Sequence, residues 1–334
     1  MPSRLDRPYL RADMALLLAR TRAGAAADLK LAWDVNGKSC WIFATGAANA
    51  GKLEIRDSPG AGMGVFALVD IEPGERMLEE KPLLVWSVEA FDQHLRAGRH
   101  YEAMEAAVDL LSPVAQTAFR DLCMNEEHGP RKHAYGIWLS NAYPTEDAPE
   151  SAAVFRVASR LNHSCAPCAH AHYNLRSHRM TLHGLIRIRA GEEVTVAYMG
   201  GVFDVREARR RELKRDFGFI CCCALCSLRD EALAASEARQ VRIRNLGERI
   251  TDTPCPPEVV ALCEEKLELI EAEQGFLGAN WDTMVCAMKY LQATGEPTRA
   301  RAWAKRAAEN ARRSLGEDNQ EYQALEAELH AARA

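Results

Sequence analysis

Four cysteines fall within six residues, at Cys221, Cys222, Cys223 and Cys226. A Cys-x-Cys-x-x-Cys cluster supplies three thiolates of a tetrahedral zinc site and asks for a fourth ligand from elsewhere. Buried free cysteines are the bland alternative. The stretch Ser159-Arg160-Leu161-Asn162-His163-Ser164-Cys165-Ala166-Pro167-Cys168 is dense in poor helix and strand formers, so it reads as a shaped polar loop. An ordinary Asn/Ser turn would look similar. Gly60-Ala61-Gly62-Met63-Gly64 first invites a dinucleotide-loop reading. That reading fails on context, because a phosphate-binding loop opens a helix, whereas Val65-Phe66-Ala67 leads toward the turn at Pro73-Gly74. What remains is a Gly-rich turn that lets backbone approach a neighbour closely, or a plain hairpin turn. A β-like run from Gly191-Glu192-Glu193 ends at Tyr198, which alone says little.

These residues need elements to position them. Leu53 and Ile55 alternate with Glu54 and Arg56, predicting a strand, with others at Val65-Phe66-Ala67 and Met77–Val85. Residues 87–122 read as helical, with Leu110, Leu111, Val114, Ala118 and Leu122 at helical spacing and Pro113 near a start. Strand and loop return from Tyr135 to Tyr198, with Met180–Ile188 and Glu193–Ala197 paired around a turn at Ala190-Gly191. Beyond Ser227 the apolar residues recur at helical spacing: Val259, Val260, Cys263, Leu267 and Ile270; Met284, Val285, Met288 and Leu291; Trp303, Ala307 and Ala311; Tyr322, Leu325 and Leu329. An α-helical array follows, similar to tetratricopeptide pairs but without a strict repeat. Residues 1–50 suggest a helix at Asp13–Arg20 and an apolar patch at Cys40–Phe43, and no motif.

Composition narrows the class. The 334 residues are 48% hydrophobic and 27% charged, ordinary for about two globular domains. No apolar run approaches the ~20 residues of a membrane helix. The stretch Ala15–Ala19 is broken by Arg20, too little for a secretory signal. An intracellular protein, nuclear or cytoplasmic, is expected. Eleven cysteines without a secretion signal favour metal over disulfides. A net charge of −5 argues against general nucleic-acid binding. The tail from Ser227 carries that excess, with 14 Lys+Arg against 19 Asp+Glu. The basic run Arg206–Arg215 could be a nucleic-acid patch; more often such a run is the solvated face of a helix.

Taken in order, these elements resemble the SET-domain protein lysine methyltransferases. Gly62-Met63-Gly64 with Val65-Phe66-Ala67 looks like the first motif of that family, Asn162-His163-Ser164-Cys165 the central one, and Gly191-Glu192-Glu193 to Tyr198 the catalytic strand. Cys221/Cys223/Cys226 looks like the post-SET zinc motif, and Glu80-Lys81-Pro82-Leu83 fits the second strand. The helical insertion, the Arg-rich stretch and the tail resemble the SET-and-MYND subgroup. The resemblance implies an α+β chain with a knotted β SET fold, although threaded chains are otherwise rare. It divides the chain into 1–52 of unknown role, a SET domain at 53–200 with a helical insertion at about 87–140, a post-SET zinc segment at 201–228, and a C-terminal helical domain at 229–334.

It also implies S-adenosylmethionine as methyl donor, one zinc ion, and a protein substrate with an accessible lysine. Ala61, Gly62, Met63, Gly64, Asn162 and His163 would hold the cofactor, with Asn141 and Ser159 assisting, Phe219 stacking on adenine and Tyr198 contacting it. Tyr198 would be catalytic, and Tyr143 and Phe217 would line the lysine channel. Cys165 would join Cys221, Cys223 and Cys226 on zinc. The helical tail would suit a protein partner; neither a membrane nor nucleic acid is expected.

Four departures stand out. Cys168 replaces the usual Asn, Cys222 adds a thiol, and Ala197 stands where many relatives have Asp or Ser. No MYND finger is visible, since the insertion offers Cys123, His94, His100, His128 and His133 but no paired cysteines. Two other readings therefore stay open: a SET-fold binding module without turnover, and a SET-fold enzyme acting on a small molecule.

Overall fold

The computed structural model describes residues 29–33, 40–44, 51–87, 94–145, 151–199, 203–251, 257–274 and 278–331. The helix expected at Asp13–Arg20 lies outside them, and the apolar patch at Cys40–Phe43 falls in a strand. Strands β1 (Leu29–Trp33), β2 (Cys40–Ala44), β3 (Leu53–Ser58) and β4 (Gly62–Ala67) form one antiparallel sheet in chain order. On β3, Leu53 and Ile55 are buried while Glu54 and Arg56 are not, the alternation a half-buried strand requires.

The expected strand Met77–Val85 is two strands, β5 (Arg76–Glu80) and β6 (Leu84–Ser87). Pro82 falls between them, and a proline cannot donate to a ladder. The halves diverge: β5 joins β10 (Ala169–Asn174) and β11 (Arg179–Gly184) in the order β10-β11-β5, whereas β6 joins β7 (Tyr143–Pro144) and β8 (Ser151–Val154) in the order β6-β8-β7.

The expected pairing of Met180–Ile188 with Glu193–Ala197 also does not form. Residues 191–194 run beside β4 instead, with Val194 N donating to Val65 O at 2.7 Å and Gly191 N to Ala67 O at 2.7 Å. The next two residues, β12 (Thr195–Val196), pair in parallel with β9 (Asn162–His163). Ser164 N extends that pairing to Val196 O at 3.0 Å.

The insertion contains α1 (His100–Asp109), α2 (Pro113–Arg120) and α3 (Ala134–Asn141). Ser112 caps α2 by accepting from Ala115 N, and Pro113 occupies the first turn, where its missing N–H costs nothing. Met104, Val108, Phe119, Leu122, Ile137 and Trp138 pack against β6 and β8 in a core separate from that of the main sheets. Leu110 and Val114, although at helical spacing, are exposed.

After α4 (Arg206–Phe217) the chain continues as α5 (Asp230–Thr251), α6 (Val259–Gln274), α7 (Trp281–Ala293), α8 (Pro297–Leu315) and α9 (Gln320–Ala331). Trp303, Ala304, Ala307, Ala308 and Ala311 line the buried face of α8, and the four alanines let neighbouring helices approach closely. The array is braced on the β10-β11-β5 sheet: Arg76 donates to Asp318 and also reaches His183 Nε2 at 3.1 Å. No described helix is long and apolar enough to cross a membrane.

Candidate active site and metal centre

The Sγ atoms of Cys165, Cys221, Cys223 and Cys226 lie within 4.8 Å of one another. Cys165 Sγ is 3.9 Å from Cys221 Sγ and 3.6 Å from Cys226 Sγ. A tetrahedron of sulfurs at ~2.3 Å from zinc has edges of ~3.8 Å, so the four thiols fit that ion. Cys222 is exposed, and Cys168 turns elsewhere, its Sγ accepting from Thr195 N at 3.2 Å. Hydrogen bonds from Cys165 and Cys221, with help from Arg209, draw the Cys226 thiol down, against Cys223 and burial. The helix α4 packs on this centre through Leu213.

The Tyr198 ring stands on the same cluster, 4.9 Å from the Phe217 ring and 6.2 Å from Phe219, edge-on. His163 is 5.4 Å from Tyr198 and 6.1 Å from Phe219 by ring centroid. Its Nδ1 accepts from Tyr198 N at 3.1 Å, which leaves the proton of the neutral ring on Nε2. That Nε2 faces Cys165 Sγ at 3.3 Å. Burial pushes the His163 imidazole down to about 4, so it is neutral at pH 7.

Two hydroxyls end on one loop. Tyr198 Oη donates to Leu161 O at 2.6 Å, and Tyr143 Oη donates to Ala158 O at 2.9 Å. Burial raises both phenols above their ordinary range; the Cys123 and Glu193 charges add to the effect at Tyr198, and Tyr198 and Glu80 at Tyr143. Glu80 holds this loop from beneath, its carboxylate accepting from the amides of Arg156, Val157 and Ala158 at 2.9 to 3.1 Å. Burial pushes the Glu80 carboxyl up to about 7 against those donors. Ser159 Oγ closes the loop, accepting from Phe155 N and donating to Asn141 O, both at 2.9 Å.

The Gly-rich turn borders the same space. Gly62 has φ +78°, a conformation that disfavours side chains, and a β-carbon there would have only Cys123 Sγ nearby, at 4.0 Å. Ala61 and Gly62 are exposed. This open cradle of backbone fits a cofactor held by main-chain groups. Gly64 is glycine for a different reason: a β-carbon would collide with Glu193 Oε1. Glu193 accepts from Asn162 Nδ2 at 2.7 Å and from Ser58 Oγ at 3.0 Å, and Asn162 Nδ2 also faces Met63 O at 3.3 Å. Asn141 Nδ2 donates to Cys123 O and Ile137 O. The side chains of Asn141, Ser159, Asn162 and His163 therefore all have protein partners.

The SET domain family matches residues 62–199. Those boundaries run from the Gly-rich turn to the residue after Tyr198. Residues 62–199 form a SET domain. Across 175 residues the chain is 29% identical to histone-lysine N-methyltransferase set5 of Schizosaccharomyces pombe, covering 52% of this chain and 50% of that one. It is 38% identical over 73 residues to histone-lysine N-methyltransferase SET5 of Eremothecium gossypii, covering 22% of this chain and 14% of that one. Over 122 residues it is 30% identical to histone-lysine N-methyltransferase Smyd1 of Mus musculus, covering 31% and 25%. The matches thus span half of these relatives or less.

Within the SET domain, no side-chain role follows from residue type for Glu80, Cys123 or Glu193. Glu80 and Glu193 lie inside segments singled out as strands, and their side-chain roles depend on contacts distant in sequence.

Proposed function

We propose that the protein is an S-adenosylmethionine-dependent protein-lysine N-methyltransferase, carrying one zinc ion and acting in the nucleus or cytoplasm on an exposed lysine of a histone or another protein. The observation that carries this reading is the Tyr198 hydroxyl, held by Leu161 O inside a matched SET domain and walled by Phe217 and Phe219. The names of the relatives support a lysine on a protein as the acceptor. The parallel pairing of Asn162–His163 with Thr195–Val196 supports the knotted arrangement of the family, and the cysteine cluster a post-SET segment.

When bound, S-adenosylmethionine supplies an electrophilic methyl group on a positive sulfur. The Ala61–Gly64 backbone and the Asn162-His163 segment would hold it, beside Phe219. A lysine amine of pKa ~10.4 costs roughly 4–5 kcal/mol to deprotonate at pH 7. The aromatic rings of Tyr198, Phe217 and Tyr143 desolvate the ammonium and reduce that cost. Tyr198 is a poor general base at neutral pH, because burial disfavours its phenolate. Its hydroxyl, fixed on Leu161 O, orients the amine and the transferring methyl, and the proton leaves to water.

The four thiolates would hold zinc and thereby tie residue 165 to the segment that carries Phe217 and Phe219. Radiolabelled methyl transfer, screened over core histones and fractionated cell proteins with wild type and Tyr198→Phe, tests the proposal. Label on a lysine that disappears in the variant supports it. No label from wild-type protein that binds S-adenosylmethionine would favour a binding module instead.

A further inference from the structure

The basic run Arg206–Arg215 does not form a simple solvated face. Arg209 in the middle of α4 is 1% exposed. Its Nη2 donates toward Cys226 Sγ at 3.5 Å, and its Nη1 donates to Asp204 O. Its Nε is buried without a partner. The Asp204 carboxylate is engaged elsewhere, pairing with Arg244 at 2.6 Å. Among the described residues, no carboxylate pairs with the Arg209 guanidinium.

A buried cation without a counter-charge is strongly disfavoured. The groups beside Arg209 able to become anions are the cysteine sulfurs, and they are anions when they hold a metal. Four thiolates on a divalent ion carry a net charge of about −2, which is equally costly to bury uncompensated. The two requirements complement each other. Arg210 adds a mechanical link, its Nε donating to Cys221 O at 2.9 Å and its Nη2 to Cys226 O at 3.2 Å. Arg206 Nη1 donates to Leu228 O at 3.1 Å just beyond the cluster.

We propose that Arg209 is the built-in counter-charge of the four-cysteine metal centre: its buried guanidinium, hydrogen-bonded to Cys226, offsets the negative charge of the zinc–thiolate group and slows release of the ion. The inference rests on the zinc reading of Cys165, Cys221, Cys223 and Cys226. Arg209 is a positioning residue acting on the ligands, and α4 is the element that delivers it.

The test compares wild type, Arg209→Met, Arg209→Lys and Arg215→Met in the full chain. Arg215 is on the same helix but is exposed, pairing with Asp216 at 2.8 Å. Zinc content is measured first, then the rate of zinc transfer to a colorimetric chelator. In Arg209→Met that rate should rise by about 10-fold or more, the usual scale for loss of a hydrogen bond to a metal ligand. Arg209→Lys should fall between, and it carries the test if Arg209→Met does not fold. Arg215→Met should match wild type. Cobalt replacing zinc supplies a second readout: without the N–H···S bond, the thiolate-to-cobalt charge-transfer band should move to lower energy. Unchanged release and an unchanged band in the Arg209 variants overturn the inference alone. Equal acceleration in Arg215→Met also overturns it. Zinc-free wild type, with cobalt giving no thiolate band, removes the zinc reading and this inference together.

Discussion

The Tyr198 amide donates to His163 Nδ1 over 3.1 Å, and the other nitrogen of that ring meets Cys165 Sγ at 3.3 Å. One imidazole therefore joins the tyrosine proposed as catalytic to the four-cysteine cluster. Both of its nitrogens are occupied within the protein, so its removal should act through Tyr198 and zinc. His163→Ala should speed zinc release and lower turnover together, with S-adenosylmethionine affinity changing less than turnover. Calorimetry alongside single-turnover rates checks this. A variant that loses affinity but keeps its zinc and its saturated rate would return His163 to a purely cofactor-binding role.

Tyr198→Phe removes a hydroxyl whose hydrogen bond to Leu161 O is 2.6 Å long, while leaving the ring between Phe217 and Phe219. Single-turnover transfer should fall by about 100-fold or more, a magnitude typical of a lost positioned hydrogen-bonding group at a reacting centre. Cofactor affinity should stay within a few-fold. The raised Tyr198 phenol also predicts that the wild-type pH–rate profile has no limb from this group near neutrality. Its rise with pH should follow the substrate amine and persist when the lysine is replaced by an amine of lower pKa, moving down with it.

How much of this was legible in the chain differs by residue. The turn at Gly60–Gly64 and the thiol cluster stand out because their signals are local. The apolar repeat of Val259 to Ile270 needs only the 3.6-residue period. The helix α5 escaped because two of its buried positions are polar: Ser236 and Gln240 both donate to Glu273 from α6. The pairing of β9 with β12 is two residues long and spans more than thirty in sequence, beyond any periodicity. Arg209 was hidden by its chemistry, since an arginine in a run of arginines looks solvated until the thiols beside it are known.

Acid should loosen the contact between the helical array and the β10-β11-β5 sheet. His183 is 1% exposed, and its Nε2 accepts from the Nε of Arg76, whose Nη2 in turn pairs with Asp318. Burial, Arg76 and the neighbouring His170 and His172 push it down to about 3, with Asp318 opposing. An imidazole depressed below its unfolded value of ~6.5 contributes stability that is complete above that pH and declines as pH falls toward 3. The slope from one such proton is at most about 1.4 kcal/mol per pH unit. His183→Gln keeps an acceptor for Arg76 and removes the titration. Urea unfolding between pH 4 and pH 7 should therefore show a shallower dependence in the variant, and parallel curves would acquit His183.

The metal centre makes the sharpest demand, because two cysteines three residues apart are assigned opposite fates. Cys165 is fully buried among Cys221, Cys223 and Cys226. Cys168 instead accepts from Thr195 N at 3.2 Å and reaches Thr195 Oγ1 at 3.5 Å and Glu193 O at 3.6 Å. A hydroxyl can replace a thiol in that hydrogen bonding but is a poor zinc ligand beside three thiolates. Cys168→Ser should therefore retain one zinc per chain. Cys165→Ser should lose it, leaving Cys221, Cys223 and Cys226 unable to hold the ion against a chelator. With that link gone, the segment carrying Phe217 and Phe219 is released from residue 165, and cofactor binding should weaken along with zinc loss. Elemental analysis of gently purified protein, followed by cofactor titration, checks both. Zinc surviving in Cys165→Ser and vanishing in Cys168→Ser would move the fourth ligand to the position where the family usually has asparagine.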